Sequence, residues 1–198
     1  MRIPTSCPTW TDDLARLLET AAATDRQGAP LSQEEAFRLA QGLILEVRRT
    51  GRRVMILGNG GSAAISSHMQ TDLAHSLKVR ALVFTEPSML TAQANDHGYE
   101  HVYANLVDLW AEPGDLLVAI SSSGHSANIL NACSLARAHG ARLMTFSGFL
   151  ADNPLRSLGD LNFHVASTSY GPVESAHAVL IHHLTDLVLA TLSSEATS

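Results

Sequence analysis

A short apolar run that breaks into glycines constrains this chain most: Val54-Met55-Ile56-Leu57-Gly58-Asn59-Gly60-Gly61-Ser62. Four consecutive apolar residues between Arg52-Arg53 and Gly58 predict a buried strand of a parallel sheet. Gly58, Gly60 and Gly61 let the backbone turn sharply and leave no Cβ to keep a ligand away. Ser62 stands where a helix can begin, as its N-cap. A strand feeding a glycine loop and then a helix N-terminus gathers free N–H groups and the positive helix end at one point, which suits an anion. The same residues also suit a tight strand–helix turn with no ligand.

The rest of the chain extends this unit. Further strands are predicted at 80–84, 116–120, 142–146 and 162–165. Between them lie helices over 62–77, over 89–110 in pieces broken at 95–99, from the loop at 121–128 to Gly140, and from Pro172 to about 192. Strands alternating with helices imply a parallel sheet covered on both faces. Ahead of the first strand come an amphipathic helix over 11–22, a polar linker over 25–30, and a helix opened by the capping box Ser32-Gln33-Glu34-Glu35 and stopped at Gly51. These 50 leading residues exceed what a minimal α/β unit needs and are candidates for a subunit interface. At 198 residues and 45% apolar content, one domain covering 1–198 is expected, its α/β core at 51–192.

The composition narrows the function classes. A net charge of −6 and 5% aromatic residues provide neither a basic footprint nor stacking platforms, so no nucleic-acid partner is expected. Two cysteines, Cys7 and Cys133, are too few for a disulfide framework. No apolar run follows the N-terminus, and His182, His183 and Asp186 interrupt the most apolar late stretch, 178–192. The expectation is a cytoplasmic protein without a membrane span.

A second loop repeats the logic of the first with more chemistry. Ser121, Ser122, Ser123 and Ser126 place four hydroxyls around Gly124, between a strand and a helix start. Hydroxyls and backbone N–H groups together suit a phosphate monoester, and in doubly wound sheets both loops can face one crevice. A P-loop is excluded, since Ser62-Ala63 stands where Lys-Ser/Thr is required. Gly58, Gly60 and Ala63 do fit a loose dinucleotide fingerprint, with Glu86 after the second strand as its ribose ligand, but that reading leaves the serines unused. His68 and Asp72, at i and i+4, share one helix face, with His75 nearby; Glu174 and His182 are eight apart on the last helix. Two nitrogen and two oxygen donors suit Zn²⁺ or a similar divalent ion, while a His–Asp pair at this spacing is also a common solvated pair.

Gly58-Asn59-Gly60-Gly61-Ser62, Ala94-Asn95-Asp96-His97-Gly98-Tyr99 and Ser121-Ser122-Ser123-Gly124-His125-Ser126-Ala127-Asn128 together resemble the sugar isomerase (SIS) domain, and more closely the phosphoheptose isomerases, over residues 32–192. The resemblance implies a three-layer α/β sandwich on a five-stranded parallel sheet of flavodoxin-like order. It also implies a homotetramer acting on a phosphorylated sugar, sedoheptulose 7-phosphate, by aldose–ketose isomerisation through an enediol. It places the phosphate on Ser121, Ser122, Ser123 and Ser126, and sugar contacts on Asn59, Gly60, Ser62, Asp96 and Glu174. The implied metal ligands are His68, Asp72, Glu174 and His182, with Asp72 the base and His182 its acid/base partner. Asp72 stands where the family has Glu, Glu174 where it has Gln, and Gly171 near a frequent polar sugar contact. A non-catalytic sugar-phosphate-binding module on the same scaffold is the alternative, and so is an isomerase of a related C5–C8 ketose phosphate.

Overall fold

Buried strands with helices on both faces sort residues 6–195, those described by the computed structural model, into three layers. The core strands are β3 (Arg53–Gly58), β4 (Arg80–Val83), β5 (Leu116–Ser121), β6 (Arg142–Gly148) and β7 (Leu161–Val165), all parallel. Every residue of β5 and β7 is buried; β5 accordingly reads as an apolar run from Leu116 to Ile120, whereas β7 alternates and buries Asn162 and His164 among its apolar residues. Across the sheet these five lie β7-β6-β5-β3-β4. Counted in chain order this is the flavodoxin-like 2-1-3-4-5, with its switch point between β3 and β5.

The sheet is larger than expected by two strands. β1 (Ala22–Asp25) and β2 (Pro30–Leu31) form an antiparallel hairpin, and β1 pairs antiparallel with β7, from Ala22 opposite His164 to Asp25 opposite Leu161. The polar segment expected as a linker is therefore largely the hairpin turn, held by Asp25, whose Oδ1 accepts from the amides of Gln27 and Ala29. The first helix, α1 (Cys7–Glu19), ends earlier than periodicity suggested because Ala22 and Ala23 join the sheet. Four small or polar residues carry no strand pattern of their own; the open edge of β7 recruits them.

One face of the sheet packs against α2 (Gln33–Thr50), α3 (Gly61–Thr71) and α7 (Tyr170–Glu195) through Phe37, Ile44, Met69, Leu73, Ile181 and Leu184. The other face carries α4 (Pro87–His97), α5 (Ala104–Trp110) and α6 (Ala127–Ala138) through Leu90, Leu106, Val107, Ile129 and Cys133. α2 has the anticipated capping box at Ser32 and Glu35 and a left-handed Gly51 at its C-cap. α7 spans 26 residues with a mean hydropathy of 1.2 over its most apolar window, enough by length and composition to cross a bilayer. Val173, Ala176, Leu180, Ile181, Leu184 and Val188 instead bury its inner stripe against the sheet.

Candidate functional site

β3 and β5 are neighbours, with Gly58 paired to Ile120, so the loops that follow them open side by side at the switch point. In the first loop the helix begins earlier than Ser62. Gly60, at φ +53°, is the N-cap, and the amides of Ala63 and Ala64 bond its carbonyl. Ser62 is already helical and buried, so a left-handed glycine replaces the expected serine cap. The carbonyl of Gly58 accepts the hydroxyl of Tyr103 at 2.7 Å, and burial pushes that phenol's pKa up to about 12. Asn59 and Asn128 exchange two amide hydrogen bonds of 3.0 and 2.9 Å, and Tyr99 donates to the same Asn59 oxygen. The Asn59 side chain thus clamps the two loops together.

The serine loop closes one wall of a cavity of about 120 Å³ lined by Asn59, Ser62, Ser121, Ser122, Ser123, Ser126, Tyr170 and Glu174. The Ser121 hydroxyl accepts from the Gly124 amide and lies 3.4 Å from that of Ser126. The buried Ser122 hydroxyl has no partner. Ser126 is the N-cap of α6, yet its side chain makes no capping bond. The helix start is left to a ligand or solvent, the arrangement that binds oxyanions. Gly124, at φ +67°, is packed so tightly on the Asn153 side chain that a Cβ there would collide with it. The loop is accordingly held from behind.

A second group of side chains joins α3 to α7. The Asp72 carboxylate lies 3.6 Å from both His68 Nε2 and His182 Nδ1, and the two rings stand edge to face with centroids 4.7 Å apart. One ligand atom from each of the three residues lies within 4.8 Å of the other two. At 3.6 Å neither nitrogen makes a good hydrogen bond to the carboxylate, so the three donors converge without satisfying one another. Asp72 opens a π-helical turn, Asp72–Ser76, that continues α3; such turns recur at functional sites. Of the four expected metal ligands, the structure brings these three together and leaves Glu174 apart. Glu174 lies just past the first turn of α7, its carboxyl against Gly61 in the first turn of α3, where any Cβ would collide with it.

Two other expectations land elsewhere. Asp96 lies exposed in the last turn of α4, accepting from the Asn95 amide, and does not line the serine cavity. Glu86, the ribose ligand of the dinucleotide reading, caps α4 by accepting from the Met89 amide and the Ser88 hydroxyl. His75 lies in the π-helical turn and is not part of the cluster. Sequence reasoning passed over Tyr99, Tyr103 and Asn128 as site-builders, although Tyr99 and Asn128 stand inside its own motifs. It also passed over His164 and His177, 3% and 0% exposed. His177 donates Nε2–H to the Ser147 carbonyl at 3.0 Å, and His164 Nδ1 meets the Ser147 hydroxyl at 3.2 Å. Burial above all pushes both rings down to about 4, with Arg156 adding to the effect on His164.

The SIS domain model matches residues 10–148. The chain is 34% identical to phosphoheptose isomerase from Pelobacter propionicus over 89% of its own length and 96% of that protein. It is 37% identical to phosphoheptose isomerase from Rhodospirillum rubrum over 78% of its length and 85% of that protein. Its fold superposes on the structure of phosphoheptose isomerase from Neisseria gonorrhoeae with a TM-score of 0.79 at 25% identity, covering 91% of this chain and 95% of that one. A glycine loop and a serine loop sharing one crevice, and matches of this breadth, lead to one conclusion: the chain belongs to the SIS-domain family and, within it, to the phosphoheptose isomerases.

Proposed function

We propose that this protein is a cytoplasmic isomerase converting sedoheptulose 7-phosphate into glycero-manno-heptose 7-phosphate through an enediol. The observation that carries the proposal is the spacing of two groups along two helices. On α3, Ser62 in the serine cavity and His68 are six residues apart; on α7, Glu174 and His182 are eight apart. At 1.5 Å per residue these are roughly 9 and 12 Å. A cleft of about 230 Å³ lined by Ala64, Ile65, His68, Ala178 and His182 lies between the helices. A phosphate at the serine end would put the far carbons of an extended sugar chain near the histidines.

The residues divide the work. The hydroxyls of Ser121, Ser123 and Ser126 and the start of α6 hold the phosphoryl oxygens and so fix the distance to the reacting carbons. Asp72 takes the proton from carbon, and His182 moves the proton between the two substrate oxygens. The convergent donors of His68, Asp72 and His182 fit a divalent ion such as Zn²⁺, which when bound supplies Lewis-acid polarisation of the substrate oxygens. An apolar groove of about 540 Å³ lined by Leu18, Phe37, Val179, Leu180 and Leu187 supports a homotetramer built on residues 1–50 and α7, which light scattering at micromolar concentration tests. Incubation with C5 to C8 ketose phosphates, with aldose formation followed by NMR, tests the substrate. Turnover confined to the seven-carbon sugar supports the proposal, and no turnover of any member overturns it.

A further inference from the structure

Hydrogen-bond donors are unevenly spread around the serine cavity, whose lining residues include no lysine or arginine. On one side stand the hydroxyls of Ser121, Ser122, Ser123 and Ser126 and the uncapped start of α6. On the α7 side the lining residues are Tyr170 and Glu174, and a carboxylate accepts hydrogen bonds but donates none. The backbone adds little there: Pro172 has no N–H, and the Val173 amide already bonds the Ser169 carbonyl at 3.3 Å. A phosphoryl group turns its three terminal oxygens toward different walls. An oxygen facing α7 therefore finds one side-chain donor among the lining residues, the Tyr170 phenol. That hydroxyl is unused, since among the described residues nothing hydrogen-bonds to it.

The Tyr170 ring is 60% exposed and yet braced. Phe149 meets it edge to face, with centroids 4.9 Å apart. Phe149 follows β6 at φ +58°, a left-handed conformation that is costly for a bulky residue, and its amide is fixed on the Ser167 carbonyl at 3.0 Å. The strain thus falls where a cavity-lining side chain is held. We infer that Tyr170 is a further phosphate-binding residue: its hydroxyl donates to the phosphoryl oxygen that faces α7, and Phe149 keeps its ring in place. The inference rests on the serine loop being the phosphate site, as proposed above, and supplies the donor on the opposite wall. A phenol braced before the ligand arrives loses little freedom on binding.

The test uses glucitol 6-phosphate, which has no carbonyl to isomerise, by calorimetry at pH 7.5, and inorganic phosphate by competition against it. Tyr170→Phe removes the hydroxyl and keeps the ring, and should weaken both probes by about tenfold, as for one hydrogen bond to a charged group. Phe149→Ala keeps the phenol and frees its ring. It should weaken both by roughly threefold, an effect that vanishes once Tyr170→Phe is present. Unchanged affinities in Tyr170→Phe overturn the inference. So does a loss confined to glucitol 6-phosphate, which would assign the hydroxyl to the sugar. Phe149→Ala without effect overturns the bracing role. Should Tyr170→Phe lose its cooperative melt, Tyr170→Leu serves in its place with the same outcomes. Ser123→Ala with Ser126→Ala separates this inference from the reading it rests on. If that pair weakens both probes while Tyr170→Phe weakens neither, the serine loop stands and Tyr170 falls; if the pair weakens neither, both fall.

Discussion

His68 and His182 stand side by side with about half of each side chain in solvent and one carboxylate 3.6 Å from both. His164 and His177 lie behind the serine loop, shut off from water, with a serine hydroxyl and a backbone carbonyl as their partners. The contrast separates two uses of the same side chain. An imidazole that can meet a substrate and a carboxylate can exchange protons or bind a metal. One buried without a counter-charge stays neutral and serves as a fixed hydrogen-bonding strut. His177 and His182 are five residues apart on one helix, so orientation and depth alone assign the roles.

The most forceful way to break this comparison is to delete the exposed ring. His182→Ala should lower turnover of sedoheptulose 7-phosphate by about 10²- to 10⁴-fold, the usual contribution of a positioned acid/base, with the thermal melt nearly unchanged. A small loss would strip the exposed pair of its special status. The buried pair should announce itself in acid instead. Above pH 6.5 both rings are neutral in folded and unfolded chains alike. As pH falls from 6.5 toward 4, the unfolded chain takes up protons that the folded one refuses, so stability declines; below about 4 the folded rings protonate too and the decline ends. Between pH 6.5 and 5 the loss is about 2 kcal/mol per ring, read by urea denaturation at the two pH values. Replacing His164 with Phe should flatten the slope, and an unaltered slope there would mean other groups cause it.

Smaller effects sharpen the picture. Ser123→Ala with Ser126→Ala should weaken binding of a phosphate ester by roughly 10- to 100-fold, as expected for losing hydrogen bonds to a charged group, and leave the fold intact. Unchanged affinity would show that the loop does not hold the phosphate. Asp72→Glu restores the longer carboxylate expected at this position. It should preserve or raise turnover, by less than about tenfold, because reach changes while charge and neighbours do not. Abolished activity would mean that the short carboxylate is matched to a different substrate geometry.

The parallel core was readable because its two central strands carry continuous apolar runs, Val54–Leu57 ended by Gly58 and Leu116–Ile120 ended by Ser121, and α2 because its cap is written in Ser32 and Glu35. The hairpin was not: residues 22–31 have no periodicity, and only the edge of β7 gives them structure. Within the site, the i, i+4 spacing brought His68 and Asp72 together on paper, but the placement of Glu174 depends on how α3 and α7 cross, which is a tertiary fact. Likewise, nothing in the spelling of His177 marks it as buried and His182 as exposed. Both lie in one apolar stretch, and the sheet decides which of them it covers.

The hairpin also has a consequence for how this chain can be shortened. Without residues 22–31, four of the five residues of β7, Leu161 to His164, would lose their outer neighbour, and their free N–H and C=O groups would offer a template for another molecule's strand. The two-residue β2, opening on Pro30, is a poor template in its own right, being short and lacking one donor. The leading segment thus works as a selvedge, the finished border that keeps a woven cloth from being extended or unravelled. Trimmed proteins that start at residue 32 should retain their α/β core yet associate irreversibly on concentration.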